Sequence, residues 1–194
     1  MKGCVLSERC AWCGTDPLYV AYHDEEWGVP ERDGRHLFEM VILEGFQAGL
    51  SWITILRKRE NFRAAFQGFD PDVLAQWGET DVLRLLADPG IVRHRGKIEG
   101  VISGARAFQR IEAREGFARF LWSFVGGKPI QTSLASRAEA RAHSPESHEM
   151  SKALKAEGFK FCGPTITYAF MQAAGMVNDH LLSCPWHATT AALA

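Results

Sequence analysis

Two thiols and two imidazoles stand near opposite ends of the sequence: Cys10 and His23, then His180 and Cys184. The i, i+4 spacing of the second pair would set both on one face of a helical turn. Two sulfurs and two nitrogens are the closed tetrahedral set that zinc prefers in structural sites, with no position left open for a catalytic water. An incidental cysteine and a surface histidine are the plainer account of such residues. Cys10-Ala11-Trp12-Cys13 is also a metal-binding spacing, so Cys13 competes with Cys10 as a ligand. His23-Asp24-Glu25 has the His-x-Glu order of a zinc deaminase, but no Pro-Cys-x-x-Cys follows it.

A second group is aromatic and acidic. Trp12, Tyr19, Tyr22 and Trp27 crowd the first 27 residues, followed by Glu44 and Trp52. Aromatics so spaced are more often core than binding surface. Glu44 carries more information, because helical spacing sets it beside Leu37, Met40, Val41 and Ala48 on the apolar side of a helix. A buried carboxylate is rare unless it pairs with an arginine, caps an amide or serves a ligand. A third group is basic: Arg93, Arg95, Lys97, Arg106 and Arg110 against the single acid Glu99 give the window from Ile91 to Arg110 a formal charge of +4. A charge run is usually a solvated face. This one follows Pro89-Gly90 and precedes Gly96 at a predicted helix start, where free amides and the helix dipole can hold a phosphate. Arg57, Lys58, Arg59 and Arg63 form a second basic cluster after Trp52.

These groups must be positioned by helices. Asp16-Pro17 and Asp70-Pro71 each place a capping acid before a proline suited to the first turn. From Asp33 to about Gly49, apolar residues surround almost the whole helical circumference, the mark of a buried central helix. Ser51 caps another helix running to about Phe66, and further helices are expected over Thr80–Ala87, Gly96–Glu112, Gly116–Val125, Ser147–Glu157 and Pro164–Ala174, the last stopped by Gly175. Period-two alternation is scarce, so the fold class is all-α. Gly126 to His143 has weak periodicity and reads as a long connection.

The chain of 194 residues suits one domain over 1–194, or two helical lobes sharing a core. Its 46% hydrophobic and 23% charged residues exclude a disordered or low-complexity chain. A net charge of −1 provides no overall field for a polyanion, so local distribution must decide. No apolar run is long enough for a membrane span, and Met1 to Cys10 lacks the apolar stretch of a secretory signal, so the cytoplasm is expected. The five cysteines, odd in number and irregularly spaced, suit reduced thiols or metal ligands.

The segment RCAWCGTDPLYVAYHDEEWGVP, with LFEMVILEGFQAGLSWITILRKRENFR, GIVRHRGKIEGVISGA, FLWSFV and SKALKAEGFKFCGPTITYAFMQAAGMVNDH, resembles the bacterial DNA-3-methyladenine glycosylase I family from about Arg9 to Cys184. The resemblance implies an all-helical helix-hairpin-helix glycosylase that flips a damaged base from double-stranded DNA and hydrolyses its N-glycosidic bond. It implies a structural zinc ion on Cys10, His23, His180 and Cys184, tying the chain ends together. It implies that Glu44 and Tyr22 act on the edge of 3-methyladenine, that Trp52 stacks on its face with Trp12 nearby, and that Tyr19 and Trp27 help to bind the base. Gly90, Arg93, Arg95, Gly96 and Lys97 would grip DNA, and Gly49-Leu50 would supply the wedge that fills the gap left by the base. The second glycine usual in the hairpin is here Val92, and no Asp lies between Asp88 and Asp179, which suits hydrolysis without a lyase step. A monomer is expected.

Overall fold

Aspartates open the first helices as the sequence predicts. Asp16 accepts hydrogen bonds from the amides of Leu18 and Tyr19 at the start of α1 (Pro17–Glu25), and Asp70 accepts from Asp72 at the start of α4 (Pro71–Leu74). Asp33 caps α2 (Gly34–Gln47) through the amide of His36. α3 (Trp52–Ala65) follows Ser51, whose hydroxyl pairs with that of Thr54 instead of a backbone amide. Next come α5 (Glu79–Leu86), α6 (Arg95–Arg114), α7 (Phe117–Ser123), α8 (Pro145–Glu157) and α9 (Pro164–Ala173), with bounds within two residues of those expected. α8 starts early because Ser144 and Ser147 cap each other's backbone amides. The computed structural model describes residues 9–193. Cys4, and most of the opening stretch read as lacking a secretory signal, lie outside them.

Two features depart from the sequence reading. A final helix, α10 (Pro185–Ala191), opens at Cys184-Pro185, where the cap position holds a cysteine and so gives no capping signal. β1 (Ile130–Gln131) pairs in parallel with β2 (Val177–Asn178), Ile130 opposite Val177, and these strands are too short to show alternation. His180 and Cys184 therefore do not share a helical face. His180 follows β2, and the chain turns back so that the Cys184 amide donates to the Leu181 carbonyl at 2.8 Å.

α2 runs through the core, with Leu37, Phe38, Val41, Ile42, Leu43 and Phe46 buried around it against α3, α6, α7 and α9. Gly175 ends α9 at φ +67°, and a Cβ there would lie 2.5 Å from backbone atoms of Val29 and Pro30, so the crossing of these two segments requires glycine. No helix among the described residues is long and apolar enough to cross a membrane.

Lys97, expected at the DNA surface, is turned inward. Its ammonium donates to the carbonyls of Phe46 (2.9 Å) and Ala48 (2.7 Å), closing the C-terminus of α2 where the helix dipole favours a cation. This bond ties α6 to the turn that carries Gly49 and Leu50. Replacing Lys97 by Met should cost about 1.5 to 3 kcal/mol in urea denaturation, because two carbonyls lose a charged donor. Arg95→Ala, which removes only exposed ion pairs, should cost less than about 1 kcal/mol.

Candidate active site

The four ligand atoms of Cys10, His23, His180 and Cys184 all lie within 4.8 Å of one another, and all four residues are buried. Cys10 Sγ stands 3.7 Å from His180 Nδ1, and Cys184 Sγ is 3.6 Å from His23 Nε2 and 3.7 Å from His180 Nδ1. Tetrahedral zinc at ordinary bond lengths sets sulfur and nitrogen about 3.6 Å apart, so the donor set fits such an ion. The outer contacts fit as well. His23 Nδ1 meets Asp24 at 2.8 Å, Asp24 is in turn held by Arg9, and His180 Nε2 meets the Trp27 carbonyl at 3.1 Å, which fixes both rings. The two sulfurs oppose each other's ionisation: with His23 and His180 beside it the Cys184 thiol is held well below the usual thiol range, while burial beside that thiolate pushes the Cys10 thiol up. Both can be thiolates together only beside a cation. Cys13 is outside the cluster; its thiol donates to the Cys10 carbonyl at 3.2 Å.

The aromatic residues singled out in the sequence meet on this cluster. Trp12 packs against Tyr19 (5.1 Å between centroids), Trp27 (4.9 Å) and His23 (5.3 Å), and Trp27 stands edge-on to His180 at 4.5 Å. They form one side of a cavity of about 240 Å³ that Tyr22, Glu44 and Trp52 also line. A smaller cavity of about 150 Å³ shares Tyr22, Glu44 and Trp52 with it. Glu44 is 3% exposed, and its Oε2 has no hydrogen-bond partner; neither has Nε1 of Trp52. Neither an arginine nor a capped amide neutralises this carboxylate, and burial alone raises its pKa to about 8. Burial likewise pushes the Tyr22 phenol well above its usual value.

The cavity has walls that sequence reasoning did not find. Gln47, Gln172, Asp179 and Leu181 contribute, as do Leu134, Arg137 and Ala140 from the segment read as a mere connection. Asp179 accepts from Tyr168 (2.8 Å), Gln172 (2.7 Å) and Thr132 (2.8 Å). Its place beside His180 was the one available signal; the others had none.

Most cations of the basic window are engaged by groups of the protein itself, although only Lys97 is buried. Arg95 is paired with Glu79 and Glu99, Arg106 donates to the carbonyls of Ala75 and Trp77, and Arg110 to those of Arg106 and Glu157. With Lys97 also engaged, Arg93 is the one cation of the window without a partner among the described residues. Gly90 accepts from Lys58 and Asn61 and donates to Asp88, while His94 caps α6 through the Lys97 amide ahead of Gly96. The arginines of the cluster on α3 are paired too, Arg57 with Asp16, Arg59 with Glu26, and Arg63 with Glu39 and Glu60, while Lys58 donates to the carbonyls of Pro89 and Gly90. Gly49 adopts φ +83°, and Leu50 is exposed at the turn.

Comparison with known proteins bears on this arrangement. The family model described as methyladenine glycosylase matches residues 12–188. DNA-3-methyladenine glycosylase 1 of Escherichia coli is 56% identical over 178 residues, 91% of this chain and 95% of that protein. A crystal structure of 3-methyladenine DNA glycosylase I superposes with a TM-score of 0.91 at 57% identity, covering 92% of this chain and 98% of that one. The enzyme from Staphylococcus aureus, solved to explain 3-methyladenine recognition, gives 0.89 at 41% identity, over 91% of this chain and 94% of that one.

The raised pKa of Glu44 has a sign that can be measured. Between the ordinary carboxyl value of 4.5 and about 8, the folded protein holds this proton and the unfolded chain does not, so stability is lost as pH rises through that window. At 1.36 kcal/mol per unit the loss is on the order of 4 kcal/mol. Glu44→Gln keeps the shape without the charge. Urea denaturation at pH 5 and pH 9 should show the variant gaining on the wild type by that amount; a constant difference would mean that Glu44 ionises freely.

Proposed function

The chain belongs to the methyladenine glycosylase family, and we propose that it extrudes 3-methyladenine from alkylated double-stranded DNA into the cavity beside Glu44 and hydrolyses the bond to the sugar. The observation that carries this reading is the unpartnered Glu44 carboxyl oxygen in a wall of aromatic rings. Methylation at N3 makes the base in DNA cationic. A carboxyl that burial keeps protonated in the free pocket gives up its proton when such a ring arrives, since the positive charge offsets the cost of ionising it. Neutral adenine offers no such compensation, so the pocket selects the lesion. Glu44 and Tyr22 read its edge, Trp52 stacks on its face with Trp12 nearby, and Tyr19 and Trp27 complete the box.

The methylated ring is a good leaving group. Water bonds to the sugar carbon, the electron pair of the N-glycosidic bond goes to the base and neutralises it, and the water gives up a proton. No amine nucleophile is needed, and Lys97, the lysine after the hairpin, donates to the end of α2. Hydrolysis therefore leaves an abasic site with no lyase step. On the DNA side, Arg93 and the first amides of α6 at Arg95 and Gly96 grip a phosphate beside the turn at Gly90, and Leu50 fills the space left by the base. We read the enzyme as a monomer that acts in the cytoplasm.

Glu44→Gln should lower single-turnover release of 3-methyladenine about 30- to 1000-fold, the equivalent of roughly 2 to 4 kcal/mol for one buried charge-assisted hydrogen bond. Affinity for DNA that already carries an abasic site should hardly change, because phosphate contacts dominate it. Undiminished release would remove Glu44 from the site.

Cys10, His23, His180 and Cys184 would hold one zinc ion, which supplies a cross-link and no chemistry, since four protein ligands leave no open position. Protein purified without chelator should contain one zinc per chain by elemental analysis. Cys10→Ser should lose the metal and most of its thermal stability, and Cys13→Ser should keep both. Zinc-free protein of full stability would exclude the site.

A further inference from the structure

The segment from Gly126 to His143 is built as a wall of the base cavity. β1 fixes it to β2, the Leu182 amide donates to the Leu134 carbonyl at 2.9 Å, and the Thr132 hydroxyl reaches both the Asn178 carbonyl (2.7 Å) and the Asp179 carboxylate (2.8 Å). A short 3-10 turn, Arg137–Glu139, then brings Arg137 to the cavity while leaving it exposed, so the guanidinium stands at the rim. The segment's single acid is Glu139, and its carboxylate is turned onto its own loop, accepting from the Ala135 amide (3.1 Å) and the Ser136 hydroxyl (3.2 Å).

Arg137 and Arg141 have no hydrogen-bond or ion-pair partner among the described residues, whereas most arginines of this chain are held by carboxylates or carbonyls. An unpaired guanidinium on a fixed loop at the mouth of a cavity is matched to an anion just outside it. A nucleotide whose base has entered the cavity leaves its sugar at the mouth and its phosphates immediately beyond. We propose that Arg137 binds the backbone phosphate next to the extruded nucleotide, and that Arg141 adds to the positive field along the same loop. The inference rests on the reading of the cavity as the base pocket. It assigns the segment a role in gripping the damaged strand, separate from the hairpin. Because the loop is already pinned by β2 and Asp179, the contact orders little more than one side chain.

The test is affinity for a duplex carrying a stable abasic-site analogue, measured from about 50 to 200 mM salt. That DNA has no base to enter the cavity, so any effect of Arg137 comes from the backbone. Arg137→Ala should make the slope of log affinity against log salt shallower by about 0.9, one phosphate contact, and Arg137→Lys should retain it. An unchanged slope for Arg137→Ala overturns the proposal. So does an equal change for Lys155→Ala, an exposed cation on α8, which would make the effect one of net charge. Release of 3-methyladenine by the wild type is followed separately. Its absence would refute the pocket reading, and the slope would still report whether the rim binds phosphate.

Discussion

The aromatic wall of the cavity hangs on four buried side chains drawn from opposite ends of the chain. Cys10 and His180 are separated by 170 residues and still meet at 3.7 Å, so this contact closes one of the longest loops the fold contains. Trp12 packs on His23 and Trp27 on His180, so one side of the box rests directly on the cluster, while Tyr22 and Trp52 pack together on the other side. The same convergence aligns β2 with β1, brings Asp179 into the cavity wall and presses Gly175 onto the backbone at Val29 and Pro30.

α2 shows how differently two buried carboxylates can be treated by one helix. Glu39 is neutralised by Arg63 at 2.8 Å and behaves as a structural ion pair. Glu44, little more than a turn further on, has neither a cation nor a donor for its second oxygen, although apolar side chains of the helix are buried around it. Such a group costs stability, and natural sequences discard it unless a ligand needs it. The cationic lesion of the proposed reaction would be a ligand of that kind, because its charge would remove the penalty that burial imposes on the carboxylate.

Much of this was legible in the sequence, for reasons that are local. Capping acids before prolines placed α1 and α4, apolar residues around the full circumference marked α2 as central, and the environment of Glu44 followed from helical spacing alone. What was not legible depends on partners distant in sequence. Lys97 lies in a run of basic residues and reads as surface, but the end of α2 stands where its ammonium can reach. Arg95, Arg106 and Arg110 were drawn into pairs and carbonyl contacts in the same way. The i, i+4 spacing of His180 and Cys184 suggested a helix because the alternative, a turn after a two-residue strand, leaves no periodic trace.

The internal engagement of so many cations bears on how a chain of net charge −1 works on a polyanion. Nonspecific affinity rises with the number of phosphates neutralised, so each cation engaged within the protein is one fewer for the backbone. Discrimination then falls to the pocket. On the proposed reading the lesion is told from adenine there through the charge that methylation creates, in addition to the methyl group's bulk. Cations engaged at home and an unneutralised carboxylate in the cavity therefore belong to one reading, in which specificity is placed in the pocket that Glu44 lines and not in a general attraction to DNA.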